Sequence, residues 1–175
     1  RSKPVRVFVR GADTWFDLPA WPPSSSVVTY YLAATQRLLG DEASQPGQDT
    51  FCYDPADPTP ALGGAQLSAG ASIIDNAALE TRKDVLVYTS EPLTADLLVI
   101  GTPTVSLCVH SDAKSADYFV RLCCVDSSGR STNVCDGFAR IDNCCQSTER
   151  TFVQLNLEPT AIRFRSGERL RVLIA

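Results

Sequence analysis

Apolar residues recur at every second position along most of the chain. In PVRVFVRG, Val5, Val7 and Val9 alternate with Arg6, Phe8 and Arg10, and in PTVSLCVHS, Val105, Leu107 and Val109 alternate with Ser106, Cys108 and His110. Successive side chains of a strand point to opposite faces, so this period of two predicts half-buried strands. Similar runs stand at VVTYYLA, TFCY, DVLVYTS, DYFVRLCCV, VCDGFARI, TFVQLNL and ERLRVLI, with turn sequences such as DSSGR and RSGER between them. About ten short strands without a sustained helical period predict an all-β sandwich. The exception is SIIDNAALETRKD, from 72 to 84, where Ala77, Ala78, Leu79 and Glu80 favour one short helix or turn.

Composition narrows this to one domain. A chain of 175 residues with 44% hydrophobic content can bury a sizeable core. The Pro-rich pieces WPP and DPADPTP are too short to divide it, so a single domain is expected over 1–175. With 16 Lys and Arg against 20 Asp and Glu, the net charge of −4 lacks the basic footprint of phosphate recognition, and no nucleic-acid partner is expected. No apolar run approaches the roughly 20 residues of a bilayer span, which argues against a membrane partner. The chain begins at Arg1 and ends within the strand-like RLRVLIA, which reads as a fragment of a longer protein.

Seven cysteines at irregular spacing do not form a disulfide framework. Cys52, Cys108 and Cys135 lie in apolar runs and read as small buried hydrophobes. Cys123–Cys124 and Cys144–Cys145 are adjacent pairs whose side chains diverge in a strand, and no C-x-x-C occurs, so no metal site and no cofactor are expected. Free thiols favour a reducing, cytoplasmic compartment.

Candidate chemistry is sparse. A serine hydrolase elbow needs G-x-S-x-G, and both Gly70-Ala-Ser72-Ile-Ile and Gly129-Arg-Ser131-Thr-Asn lack the final glycine. His110 is the one histidine. A hairpin through SDAKSAD would set Tyr118 near it and leave Cys123 and Cys124 roughly 10 Å or more away, beyond nucleophile–base reach. No catalytic residue is therefore assigned. Asp54 and Asp57, each before a proline, fit turn chemistry better than a Ca²⁺ site or a glycosidase pair. Arg163, Arg165, Arg169 and Arg171 read as the solvent or interface face of two strands. Trp15 and Trp21, in the connection GADTWFDLPAWPP, are placed to cap the sandwich, to anchor a neighbouring domain or to stack a sugar.

Six stretches occur in a fixed order: PVRVFVRGADTWFDLPAWPP, TYYL, FCYDPADPTPALGG, DVLVYTSEPLTADLLVIGTPTVSL, DYFVRLCCVDSSGRSTNVCDGFAR and LEPTAIRFRSGERLRV. In that order the chain resembles the C-terminal non-catalytic domain of X-Pro dipeptidyl-peptidase and cocaine-esterase-like acyl hydrolases. The resemblance implies a two-sheet antiparallel jelly roll, galactose-binding-domain-like, packed on the α/β-hydrolase and cap domains of the same chain, with a homo-oligomer compatible. It places the Ser-His-Asp triad upstream of this fragment. It departs from the family at IDNCCQSTER, where a basic and aromatic run is common. It also implies that Gln66, Leu67 and Ser68 lie on a loop reaching toward the acyl pocket. The corner DPADPTPALGG would aim that loop, Pro55, Pro58 and Pro60 stiffening it and Gly63 and Gly64 allowing the sharp turn. The alternative reading is a stand-alone carbohydrate-binding sandwich using Trp15 or Trp21.

Overall fold

A computed structural model describes residues 3–41, 47–65, 72–142 and 150–175. Among them are twelve strands and one four-residue helix. The strands are β1 (Val5–Val9), β2 (Thr14–Leu18), β3 (Tyr31–Ala33), β4 (Arg37–Leu39), β5 (Leu86–Ser90), β6 (Leu97–Gly101), β7 (Thr104–Val109), β8 (Ser115–Val125), β9 (Ser131–Asp142), β10 (Thr151–Asn156), β11 (Thr160–Phe164) and β12 (Arg169–Ile174); helix α1 is Ala77–Glu80. Six strands form one sheet in the order β3-β4-β5-β12-β8-β9, and the rest pair as β1-β2, β7-β10 and β6-β11. All pairings are antiparallel except β4 with β5, which is parallel.

The main core lies between the six-stranded sheet and the β6, β7, β10 and β11 pairs. Leu38, Tyr88, Val120, Leu122, Cys135, Leu170, Val172 and Ile174 meet Leu107, Leu155, Ile162 and Phe164 there. The intervening residues of the same strands face the other way. Cys123 and Leu173 belong to a second cluster with Leu79 and Val85, against which Leu62 and Val87 pack. The central sheet is thus covered on both faces, the second cover coming from the end of the Pro-rich corner at Leu62 and from α1 and the residues after it at Leu79 and Val85. Strands buried on both faces lose the clean alternation of half-exposed strands. This accounts for YFVRLCCV in β8, where Val120, Arg121, Leu122 and Cys123 are all buried.

One predicted strand is missing and another is shortened. TFCY is irregular, and of VVTYYLA only Tyr31–Ala33 is strand, Val27 standing 91% exposed. Both runs abut proline, serine or Asp-Pro sequences that restrict neighbouring pairing. Cys52 is accordingly exposed rather than buried, and Cys108 is exposed because it falls on the outer face of β7, opposite Phe152 of β10. Cys135 is buried as expected. The hairpin supposed to follow His110 does not form: β7 pairs with β10 and β8 with β9 and β12, so Tyr118 lies opposite Ala139. No helix among the described residues is long and apolar enough to cross a membrane.

Candidate functional site

The second layer is organised around Arg121. Its residue is 2% exposed, and a guanidinium out of water needs partners for its donors. Nε and Nη2 bind the two carboxylate oxygens of Asp136 on β9 at 2.7 and 2.8 Å, a bidentate pair. Nη1 donates to the carbonyl of Leu62 at 2.6 Å and to Oδ1 of Asn76 at 2.9 Å. Asn76, fully buried, donates Nδ2 to the Ser131 carbonyl, and its backbone N–H does the same. One cation therefore joins the end of the Pro-rich corner, the start of α1 and strand β9.

Asn133 continues this arrangement. Its Oδ1 accepts from the Ile74 N–H at 2.8 Å, and its Nδ2 donates to the Ser72 carbonyl at 3.2 Å. That carbonyl also accepts from the Gly64 N–H at 3.1 Å, which brings the chain entering residue 65 beside the chain leaving residue 71. Gly63 and Gly64 have φ of +62° and +79°. A Cβ at Gly63 would stand 2.7 Å from Ile74 Cγ1, and one at Gly64 would collide with the Asp136 carboxylate. Only glycine allows both the left-handed backbone and the close approach. A cleft of about 310 Å³ opens beside this neck, lined by Arg10, Gly64, Ser72, Asn133 and Glu158 among others.

The corner itself is tied down by acids in the role expected of them. Asp54 accepts from the Ala56 N–H at 2.8 Å, and its carbonyl accepts from the Asp57 N–H at 3.0 Å. Arg82 then binds the Asp57 carbonyl at 2.7 Å and grips Asp84 with Nε and Nη2 at 2.7 and 2.8 Å. Thr59 adds a hydrogen bond to Asp84 at 2.6 Å. Hydrogen bonds from Arg82, more than that from Thr59, hold the Asp84 carboxyl down at about 2.

The residues singled out from sequence are distributed unevenly about this centre. Gln66, Leu67 and Ser68 lie outside the described residues, although both ends of their segment are in the neck. Trp15 and Trp21 are 56% and 39% exposed. Trp15 meets Phe8 edge-on with ring centroids 5.5 Å apart, and the Arg6 guanidinium lies over its ring at 5.3 Å. Arg6 and Phe8 thus already occupy part of the surface around that ring. His110 is exposed at the end of β7. Arg163 and Arg165 donate to the Gly11 carbonyl, Arg169 to that of Ser90, and Arg171 binds Thr89 Oγ1 and Glu80, so the arginine row braces strands and connections. A wider depression of about 480 Å³ near Thr89, Asp126, Gly167, Arg169 and Arg171 offers little chemistry, because its arginines are already engaged. Cys52, Cys108, Cys123, Cys124 and Cys135 are free thiols, with burial pushing Cys123, Cys124 and Cys135 up to about 12.

Arg121, Asn133, Asp136 and Asn76 went unnoticed in the sequence. The one available signal was an arginine inside the apolar run YFVRLCCV, since a cation there demands a buried acid.

The chain matches the X-Pro dipeptidyl-peptidase C-terminal non-catalytic domain over residues 1–175. It is 37% identical over 149 residues to the cocaine esterase of Rhodococcus sp. (strain MB1 Bresler), covering 78% of this chain and 26% of that protein. An aminopeptidase from the marine sediment archaeon Thaumarchaeota archaeon shares the fold with a TM-score of 0.86 at 22% identity, covering 98% of this chain and 33% of the other. An alpha-amino acid ester hydrolase gives 0.85 at 23% identity over the same shares. The chain spans about a quarter to a third of the length of these relatives. Neither these likenesses nor the packing of Trp15 supports a stand-alone carbohydrate-binding module. A sandwich matched from end to end in this way belongs to the X-Pro dipeptidyl-peptidase C-terminal non-catalytic domain family, the non-catalytic domain of hydrolases of the CocE/NonD type.

Proposed function

We propose that this chain is a single domain over 1–175, a jelly roll that packs on the α/β-hydrolase and cap domains of a longer serine hydrolase and completes its acyl pocket. The segment carrying Gln66, Leu67 and Ser68 reaches that pocket, Leu67 giving apolar contact to the acyl group and its neighbours offering hydrogen bonds. The observation that carries this reading is the neck. Three buried polar side chains, the partly buried Asp136 and two glycines fix where the segment leaves and rejoins the domain, more specification than an idle surface loop needs. The exposed aromatics Phe8, Trp15 and Trp21 suit the contact with neighbouring domains. Acyl esters and amides are the substrate class, in keeping with the esterase and aminopeptidase relatives. The five free thiols among the described residues fit a reducing, cytoplasmic setting.

One apolar side chain in such a pocket discriminates by about 1 to 3 kcal/mol. In the longer protein, Leu67→Ala is therefore expected to lower kcat/KM for bulky acyl groups by roughly ten-fold while sparing acetyl esters. Ser127→Ala, in the turn after β8, is the control. Equal responses of bulky and acetyl substrates to Leu67→Ala would contradict the reading.

A further inference from the structure

A guanidinium taken out of water needs a carboxylate beside it, and this domain supplies one almost everywhere. Among the described residues, every arginine except Arg10 and Arg150 stands within 3.8 Å of an Asp or Glu oxygen. Arg150 is exposed, so water serves it. Arg10 is half-buried, and desolvation holds its pKa below the ordinary arginine value. It is therefore the one described arginine that is drawn out of water without an acid to compensate.

The backbone fixes where this cation stands. Arg10 follows β1, its N–H donating to the Ala161 carbonyl at 3.0 Å and its carbonyl accepting from the Arg163 N–H at 2.8 Å. Nη2 donates to the Asn133 carbonyl at 3.1 Å, and the other guanidinium donors have no protein acceptor among the described residues. The Asn133 carbonyl belongs to a bulge. Leu122 of β8 lies opposite Cys135, but the next residue, Cys123, lies opposite Asn133, which leaves Val134 without a partner. The bulge resets the alternation of β9, so the Asn133 side chain joins that of Asp136 in the second layer. Arg10 lines the cleft of about 310 Å³ with Gly64, Ser72, Val134, Cys135 and Glu158. Glu158 is exposed and makes no ion pair among the described residues.

The chemistry selects the occupant. The planar fork of a guanidinium matches a carboxylate through two parallel hydrogen bonds. A more highly charged anion such as phosphate suits the cleft less well, because Glu158 adds negative charge to the same walls. A half-buried cation also calls for a partner that stays in place. A carboxylate carried on the same polypeptide is held at high effective concentration, whereas a free acid comes and goes. The relatives extend well beyond the share that this chain matches, and that additional polypeptide can provide such a side chain.

We propose that the Arg10 cleft is an interdomain anchor: it receives an aspartate or glutamate side chain from the upstream part of the longer protein, and that carboxylate forms a bidentate pair with the Arg10 guanidinium beside the β9 bulge. The proposal rests on the reading of this domain as packing on upstream domains and is independent of any contact between Leu67 and an acyl group.

A structure of the longer protein tests the anchor directly. The expected result is an upstream carboxylate within about 4 Å of the Arg10 guanidinium. An upstream surface that covers the cleft without bringing an acid to Arg10 overturns this proposal alone, as does finding Glu42, Glu149 or Glu158 on Arg10 instead. Upstream domains that do not touch the sandwich overturn the packing reading and the anchor with it. Amide exchange in the longer protein gives the second readout, with Arg10→Met, Arg10→Lys and Arg140→Met compared with the parent. Arg10→Met is expected to speed exchange roughly ten-fold or more at residues 132–135 and in an upstream peptide that contains Asp or Glu. Arg10→Lys keeps the charge but loses the fork, and should fall between the parent and Arg10→Met. Arg140→Met, which breaks an exposed pair, should leave both regions unchanged. If Arg10→Met speeds exchange at 132–135 and in no upstream peptide, Arg10 only braces the Asn133 carbonyl and the anchor is overturned.

Discussion

A guanidinium buried in a strand is tolerable only while each strong donor is answered, which makes Arg121 and Asp136 unequal to the exposed ion pairs around them. Removing one member strands the other. Asp136→Ala is expected to cost about 3 to 5 kcal/mol in urea unfolding. The double change Arg121→Met with Asp136→Leu should recover part of that loss but not all, because the Leu62 carbonyl and Asn76 Oδ1 lose their donor as well. The exposed Arg140–Asp117 pair is the comparison, and Arg140→Ala should leave the urea midpoint where it was. The thiols differ for a related reason. Native-state alkylation at neutral pH should label exposed Cys52 and Cys108 well before Cys123 and Cys135, whose burial pushes their pKa up to about 12. Rapid labelling of Cys123 in the folded protein would contradict the placement of the second layer.

At the level of elements, the Pro-rich corner is held by Arg82, Thr59 and Asp84 rather than by a ladder. The Asp84 carboxyl lies at about 2 in the folded protein against an ordinary 3.8, so the stability it contributes is complete above about pH 4 and is lost as pH falls through about 2. Asp84→Asn should lose less stability than the parent over that interval, which acid titration of the unfolding midpoint can measure. Equal acid slopes would remove Asp84 from the account. These elements also show what the sequence could disclose. The strand-like runs gave β1, β5, β7 to β10 and β12, and the alternation of Arg163 with Arg165 gave β11, while β2, β4 and β6 stood outside them. TFCY and most of VVTYYLA have the composition of strands but none of the pairing, and pairing is not a local property. The corner was legible because Asp-Pro and Gly-Gly act through their own backbone. The neck was not, because Arg121 meets Leu62 across 59 residues and a bulge at Val134 decides which face Asn133 takes.

For the whole molecule, the second layer adds to an all-β sandwich a hydrogen-bonded neck in which Arg121, Asn76 and Asn133 tie Leu62, Ser72 and Ile74 to the central sheet. The chain by itself has no G-x-S-x-G elbow, and His110 sits exposed at a strand end. The isolated domain is therefore expected not to turn over nitrophenyl esters, and turnover abolished by His110→Ala would reveal a site of another kind. The proposed function gives the domain its part in catalysis through one contact, that of Leu67 with the acyl group, and a structure of the longer protein with an acyl boronate on its serine measures that contact directly. The account predicts Leu67 in van der Waals contact with the acyl chain, within about 4 Å, and the Asn133 hydrogen bonds to Ser72 and Ile74 intact. An acyl chain enclosed wholly by upstream residues, with Leu67 turned to solvent, would contradict it.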